Sequence, residues 1–233
     1  MAISVDTVYK TVLFILNKQQ RGYMTPEEFN KVGAQAQLEI FEKYFEDLNQ
    51  LTRIPQNDMD YADRVAYLDD KISIFKNVEG KELGSETSFA LPDNTHIIGT
   101  ITSNDIELQR VSRNEYYNII KSPLTKPTLS YPIYLLESSK VKVSPSSIAE
   151  VSYDYIIRPV EPQWNYTVGT VGQFIFNTTN ATNNKSIDFE LHNSEQVELI
   201  LRILSYAGII IRDPNIVQAA ASQVQQANIN EKS

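Results

Sequence analysis

The chain has 233 residues, enough to bury a substantial apolar core as one large domain or two small ones. Hydrophobic residues make up 42% and charged residues 21%, a balance that favours a globular protein over a disordered one. The net charge of −8 argues against a dedicated duplex-binding protein. The absence of cysteine excludes disulfides, thiolate nucleophiles and Cys-ligated zinc. No signal-peptide pattern and no apolar run of about 20 residues is present, so we expect a soluble protein made without export.

The first 70 residues predict three helices. Apolar residues at helical spacing indicate an amphipathic helix over residues 1–21, with Ser4 or Asp6 as its cap. The segment Thr25-Pro26-Glu27-Glu28 combines an N-cap, a proline at the first helical position and a capping-box glutamate. A long second helix is therefore expected after it, and a shorter third helix over residues 58–70. Two long helices joined by a tight turn favour an antiparallel hairpin.

From residue 71 the apolar period changes from helical to alternating, which is typical of half-buried strands. Ser112 and Glu115 form a second capping box, which predicts a short helix through Ile120 between two strands. We expect six or seven short strands in a small barrel or sandwich. The predicted strands are residues 72–78, 88–91, 96–102, 106–111, 131–136, 140–143 and 148–158.

The last quarter of the chain predicts two successive helices. Ser194 is the predicted N-cap of the first helix, and Gly208 is its predicted stop. Asp213 and Pro214 then predict the start of an Ala- and Gln-rich helix with a thin apolar stripe. Because such a helix buries little against its own domain, we expect it to dock on a partner, and the alternative is a frayed chain end.

These patterns predict an α+β fold in which the N- and C-terminal helices pack as a helical bundle. An antiparallel β barrel or sandwich module is inserted between them, and a C-terminal docking helix follows. The predicted parts are residues 1–70, a helical hairpin with a short helix; 71–187, the β module; and 188–233, the last bundle helix and the docking helix. Within the β module, the Asn- and Thr-rich residues 165–186 predict an exposed loop or hairpin tip, with one candidate strand over residues 173–176.

Four motifs follow one another along nearly the whole chain. They are the N-terminal helical pair, the Leu91-Pro92-Asp93 tripeptide, the segment from Tyr155 through Arg158-Pro159 to Trp164, and Asp188-Phe189-Glu190-Leu191 with the helices after it. In this order they resemble phage tail adaptor proteins, the head–tail connector rings beneath the portal of short-tailed bacteriophages. The ring proteins of crAss-like phages are the most similar. Residues 165–186 depart from that pattern.

The resemblance implies a structural virion protein and not an enzyme, with no cofactor and no membrane partner. It implies a twelve-fold ring that contacts the phage portal protein, neighbouring copies of itself and other connector or tail proteins, assembled in the host bacterial cytoplasm. Genomic DNA would pass through the channel without sequence-specific binding, which suits an acidic chain. Interfaces of permanent assemblies are large and apolar. The candidate residues for docking on the portal or a neighbour are Ile203, Leu204, Ile209, Ile210, Ile216, Val217, Ala220 and Val224. The five isoleucine and leucine residues among them are expected to include core or interface anchors.

Residues that could carry chemistry have weaker patterns. The two histidines, His96 and His192, lie far apart in the sequence, and no Gly-x-Ser-x-Gly motif is present. The acidic residues between 58 and 70 lack the glycine and spaced glutamate of a calcium loop, so we expect caps and solvated faces.

Two alternatives to the connector remain open. One is a tail-borne carbohydrate-binding or polysaccharide-degrading module, which a concave aromatic cluster beside two close carboxylates would favour. Its stacking residues would come from Tyr116, Tyr117, Tyr131, Tyr134 and Trp164, for which we prefer core or interface packing. The other alternative is a cytoplasmic α+β binding protein encoded by a cell.

Overall fold

The chain divides into two compact units. The computed structural model describes residues 2–18, 23–53, 59–84, 87–180, 182, 184–211 and 218–226. The helical unit comprises Met1–Ile74 and Pro159–Ser233, and the β unit comprises Phe75–Arg158. The α+β class is therefore confirmed, with both chain termini in one unit and the β unit inserted between them. The predicted end of the β module at residue 187 is wrong, because residues 159–187 belong with the helices.

Five helices and ten strands have named bounds. The helices are α1 (Val5–Lys18), α2 (Pro26–Arg53), α3 (Met59–Ser73), α4 (Arg113–Lys121) and α5 (Gln196–Ile211), and residues 218–226 are also helical. The strands are β1 (Lys76–Glu82), β2 (Ser88–Ala90), β3 (Thr95–Ser103), β4 (Ile106–Glu107), β5 (Gln109–Arg110), β6 (Ile133–Glu137), β7 (Lys140–Ser144), β8 (Glu150–Ile157), β9 (Tyr166–Val168) and β10 (Phe174–Phe176). None of the described helices is long and apolar enough to cross a membrane.

The core of the helical unit lies between α1, α2, α3 and α5. Helix α2 packs against both α3 and α5, and α1 packs against α5. The apolar side chains recur at helical spacing because each helix turns one stripe inward. The fully or almost fully buried members include Val8, Val12, Leu16, Phe29, Ile40, Phe41, Ile72, Leu199, Ile203 and Ala207.

The starts of α1 and α2 agree with their sequence signals. Thr25 Oγ1 accepts from the amide of Glu28 at 3.3 Å, and the Glu28 carboxylate accepts from the amide of Thr25 at 2.8 Å, which confirms this capping box. Ser4 Oγ accepts from the amide of Thr7 at 3.4 Å, as predicted for α1. In addition, Asp188 Oδ1 accepts from the amide of Val5 at 2.9 Å, so the C-terminal part of the chain contributes to this cap.

The predicted limits of α5 are wrong at both ends. A 3₁₀ turn, Asn193–Glu195, precedes the helix, and His192 caps that turn by accepting from the amide of Ser194 at 3.3 Å. At the other end, Gly208 is buried within a helix that continues to Ile211, because tertiary packing outweighs the weak helix propensity of one glycine. The strand predicted from residue 72 begins only at Lys76, because Ile72 belongs to α3 and is buried.

The β unit has three layers. One sheet has the strand order β1-β8-β3-β4 and the other has the order β2-β7-β6-β5. All pairs are antiparallel except β5 with β6, which are parallel. Among the described residues the two sheets do not close into a barrel, but they share one core, as in a sandwich. Helix α4 covers the second sheet, with Tyr116 against Ile133 and Leu135.

Helix α4 begins as predicted. Ser112 Oγ accepts from the amide of Glu115 at 3.4 Å, and the Glu115 carboxylate accepts from the amide of Ser112 at 2.9 Å. This second capping box is confirmed. The hydrogen bonds hold the pKa of Glu115 below its ordinary value, because they favour the charged carboxylate.

A polar network joins α2 to α5. Glu198 accepts from Arg202 at 2.7 Å and from Lys43 at 3.3 Å, and Arg202 also donates to Glu39 at 3.0 Å. Burial alone would raise the pKa of Glu198, but the hydrogen bond from Arg202 and the charges of Lys43 and Arg202 outweigh it, so this pKa is lowered. The pKa of Arg202 is raised by the same partners against the effect of burial, so both side chains stay charged.

A second ion pair, fully buried, joins α3 to the turn before α5. Lys71 Nζ lies 2.5 Å from Glu195 Oε1, and the two side chains are 5% and 4% exposed. The same ammonium lies 4.4 Å from the centroid of the Tyr67 ring. Two charges removed from water are stable here because each neutralises the other.

Replacing Lys71 with methionine is expected to lower the free energy of unfolding by about 3–5 kcal/mol, because Glu195 loses its buried counter-charge. The double variant Lys71→Met/Glu195→Leu removes both charges and should regain most of this loss. Urea unfolding followed by the fluorescence of Trp164, the only tryptophan, measures both values in the helical unit. Equal losses in the single and double variants would contradict the pairing.

Candidate interaction surfaces

One face of α2 binds the chain where it returns from the β unit. Gln37 is 2% exposed, and its Nε2 donates to the carbonyl of Val160 at 2.8 Å while its Oε1 accepts from the amide of Glu190 at 3.0 Å. About two helical turns earlier, Asn30 Oδ1 accepts from the amide of Trp164 at 2.7 Å. The buried backbone groups of an irregular segment thereby find partners.

The return segments, residues 159–164 and 186–190, also pair with each other and with the N-terminus. Gln163 and Ile187 exchange two backbone hydrogen bonds of 3.0 and 2.8 Å, and Phe189 and Ile3 exchange two of 3.0 Å. Gly33 lies on the same face of α2 as Asn30 and Gln37, and a Cβ there would come within 3.2 Å of Phe189 Cζ. A side chain at this position would push the Phe189 ring away by a few tenths of an ångström, so glycine allows the closest packing of this ring on the helix.

A chain of aromatic rings runs from this core to a β hairpin. Trp164 is 4% exposed, and its Nε1 donates to Asp6 Oδ1 at 3.1 Å. Its ring centroid lies 5.6 Å from that of Phe176 in β10. Ring contacts of this kind add to the apolar burial, and the rings have few torsions to fix. The successive rings are Phe189, Phe29, Tyr9 and Trp164, followed by Tyr166 and Phe176.

Tyr9, at the centre of these rings, is buried with its hydroxyl paired. Burial raises the pKa of Tyr9 above its ordinary value, with further contributions from Tyr23 and Tyr166. The hydroxyl therefore stays protonated and donates to the carbonyl of Met24 at 3.2 Å.

Polar side chains hold the base of the hairpin. Ser186 is 2% exposed, and its hydroxyl accepts from the amide of Asn165 at 3.0 Å. The side-chain amide of Asn165 donates to the carbonyl of Lys185 at 2.7 Å, and Asn177 donates its backbone amide to the carbonyl of Asn165 at 2.9 Å. Asn165 and Asn177 therefore stabilise the base of the hairpin, a role that the sequence pattern did not indicate.

The hairpin, residues 166–176, presents apolar side chains to solvent. The prediction of a hairpin tip with a strand near residues 173–176 is confirmed, with β9 and β10 as its antiparallel strands. Ile175 is 48% exposed and Val168 is 64% exposed. No charged residue occurs from Pro162 to Asn184. An ordered and uncharged apolar projection is a candidate interaction surface.

The β unit has its own apolar projection, the proline loop of residues 122–132 between α4 and β6. Leu124 is 94% exposed and Tyr131 is 81% exposed, and Leu129 is also mostly exposed. Pro127 and Pro132 are buried and fix the course of the loop. This loop is a second candidate interaction surface.

The residues expected to dock on a partner lie elsewhere. Ile203 and Leu204 are buried within the helical unit, and Ala220 in the helical segment 218–226 is 5% exposed. These three side chains are therefore already buried in the single chain. Val224 is partly buried. Ile209 and Ile210 fall in the last turn of α5, where only the backbone is described, and Ile216 and Val217 lie outside the described residues.

The other singled-out residues mostly have structural positions. His192 caps the turn before α5. Tyr116, Tyr134 and Trp164 are buried, which confirms the packing interpretation for these three. Tyr117 and Tyr131 are exposed. Within the described ranges, no group of three or more acidic, histidine or cysteine side chains is arranged to hold a metal ion.

Comparison with known proteins adds no identification. No protein-family model matches the chain, and no curated protein matches it significantly.

Replacing Trp164 with alanine is expected to loosen the hairpin, because β9 and β10 lose the ring that joins them to the core. Hydrogen exchange followed by mass spectrometry should show the amides of residues 166–176 exchanging about tenfold faster or more. The control Val171→Ala removes an exposed side chain from the turn and should leave these rates unchanged. Unchanged hairpin protection in the Trp164 variant would contradict the anchoring role.

Proposed function

We propose that this protein is a structural subunit of the head–tail connector of a short-tailed bacteriophage. It would form a ring beneath the portal, continue the DNA channel and attach tail components. One observation carries the proposal: each unit presents large apolar side chains to solvent on an ordered projection. Exposed apolar surface of this kind is costly in a free monomer and is expected in a subunit of a permanent assembly.

The positions of the resembling motifs also support the proposal. Leu91 is buried and donates its amide to the carbonyl of Ser139 at 2.8 Å. Trp164 anchors the hairpin, and Asp188 caps α1 while Phe189 packs against α2. These residues stabilise the fold. Proteins that share this fold would therefore be expected to share these motifs in the same order.

The proposed mechanism is mechanical. Copies would pack side by side, and the segment beyond α5 would attach to the portal or to a neighbour. In the helical segment 218–226, most side chains around Ala220 are exposed and so can meet a partner. The net charge of −8 gives DNA phosphates little to bind, which suits a passage for DNA.

The carbohydrate alternative gains no support from the aromatic residues of the β unit. A stacking surface needs exposed rings. In the described part of this unit most rings are buried, namely Phe75, Phe89, Tyr116, Tyr134, Tyr153 and Tyr155.

Mixing the purified protein with the portal of the same genome is expected to give a complex with about one copy per portal subunit, as a matched ring requires. Light scattering measures the mass of the protein alone and of the mixture. Truncation after Asp213 should abolish the complex, because it removes the attaching segment.

A matched truncation after residue 226 keeps the helical segment and should keep the complex. No association of the full chain with the portal at any salt concentration would contradict a ring directly beneath the portal. Equal binding by both truncated chains would contradict the role of the last helix.

A further inference from the structure

The hairpin has two open edges. In the described part of the chain, β9 and β10 pair only with each other. Gly169 donates to the carbonyl of Gln173, and Asn177 donates to that of Asn165, which fixes the alternation of the antiparallel ladder. By that alternation, backbone groups of Phe174 and Phe176 lie along the outer edge of β10, and those of Tyr166 and Val168 lie along the outer edge of β9.

These edges lack the usual protection against pairing with another chain. Natural proteins shield open edges with lysine or other charges, with proline or with covering segments. No charged residue and no proline occurs between Tyr166 and Phe176. Ile175 and Val168 stay about half exposed or more, so no described segment covers these two side chains.

The hairpin is also held in one arrangement before any partner arrives. Trp164 contacts both Tyr166 and Phe176, and Ser186 joins the two ends of the hairpin through Asn165 and Asn177. A pre-ordered strand loses little conformational entropy on pairing.

The absence of charge on the hairpin favours a second copy of the chain as its partner. Copies of a chain with net charge −8 repel one another, and the repulsion is felt within about 8 Å at physiological salt. The run from Pro162 to Asn184 is the longest without a charged residue, so this surface lets two copies meet without opposed like charges. A second copy also brings a matching apolar edge.

We propose that the hairpin is the contact between copies of this chain, with the outer edge of β10 in one copy pairing with the outer edge of β9 in the next. Each hairpin offers both edges, so the contact is head to tail and can repeat around a closed ring. The inference rests on the proposed function, because a ring requires contact between neighbouring copies.

This pairing brings two particular side chains together. Thr167 and Ile175 are opposite each other within the hairpin and lie on the same face of it. Edge pairing places Ile175 of one copy beside Thr167 of the next on that face, with β-carbons about 5 Å apart. Pairing between identical edges would instead bring two Ile175 side chains, or two Thr167 side chains, together.

Cross-linking tests the contact without interference, because the chain contains no cysteine. Thr167→Cys and Ile175→Cys chains are mixed and treated with a short bis-maleimide. The mixture should give about tenfold more dimer than either variant alone, because only the mixture places two thiols about 5 Å apart. The matched control mixes Thr167→Cys with Val197→Cys, which puts the second thiol at a more exposed site on α5, outside both candidate surfaces.

Each outcome decides the inference. Dimer from the Thr167 and Ile175 mixture alone supports head-to-tail pairing. Dimer from Ile175→Cys alone overturns it in favour of a two-fold pair, and equal dimer in all mixtures overturns it in favour of random collision. No dimer above the control also overturns it.

A charge variant gives a second readout. Ile175→Lys should weaken concentration-dependent self-association in sedimentation velocity, and Val197→Lys, with the same charge change at an exposed position of α5, should not. Trp164 fluorescence checks that both variants fold. If cross-linking fails while the portal complex forms, the hairpin contact is wrong and the connector role stands. If cross-linking succeeds while no portal complex forms, the hairpin contact stands and the ring directly beneath the portal is wrong.

Discussion

The buried side-chain amide of Gln37 joins parts of the chain that are far apart in sequence. It bonds to Val160 and to Glu190, which lie 123 and 153 residues further along. Because the β unit is inserted within the helical unit, the chain returns to the helices as an irregular segment. The buried N–H and C=O groups of that segment need hydrogen-bond partners. Side-chain amides can serve both a carbonyl and an N–H, and α2 uses two of them for this purpose.

The position of the hairpin follows from this closure. Once Asn30 and Gln37 fix the return segments, Trp164 packs on Tyr9, and its ring in turn meets Tyr166 and Phe176. The uncharged strands therefore project from a rigid base. The hairpin lies in a segment of low-complexity composition, but it forms an ordered surface. The proposed contact between copies needs such an ordered surface, because a pre-ordered strand loses little conformational entropy on pairing.

Sequence patterns predicted what is local. The capping boxes at Thr25 and Ser112 each lie within four residues, and both form as predicted. Alternation over β7 and β8 reports one buried face per strand, so those strands were also predictable. The α+β class followed from the change of period near residue 71.

Patterns failed where partners are distant. Residues 159–187 were assigned to the β module, but Val160 and Trp164 form hydrogen bonds with α2, which no local pattern indicates. Helical spacing in α5 does not separate a core face from a docking face, so Ile203 was expected as a core or interface anchor, and the structure places it in the core. The exposure of Leu124 and Ile175 was not predicted, because sequence periodicity does not show whether a single apolar residue in a loop or hairpin is exposed. The Asn- and Thr-rich composition of residues 165–186 indicated a hairpin tip but not its exposed apolar side chains.

The most direct test of this account is the free energy of unfolding of a Gln37→Leu variant, measured in urea through Trp164 fluorescence. Leucine fills similar space but leaves the carbonyl of Val160 and the amide of Glu190 unpaired, so we expect a loss of about 1–3 kcal/mol. Gln35→Leu makes the same change on the exposed face of α2 and should have little effect. Equal stabilities of the two variants would contradict the claim that Gln37 closes the helical unit.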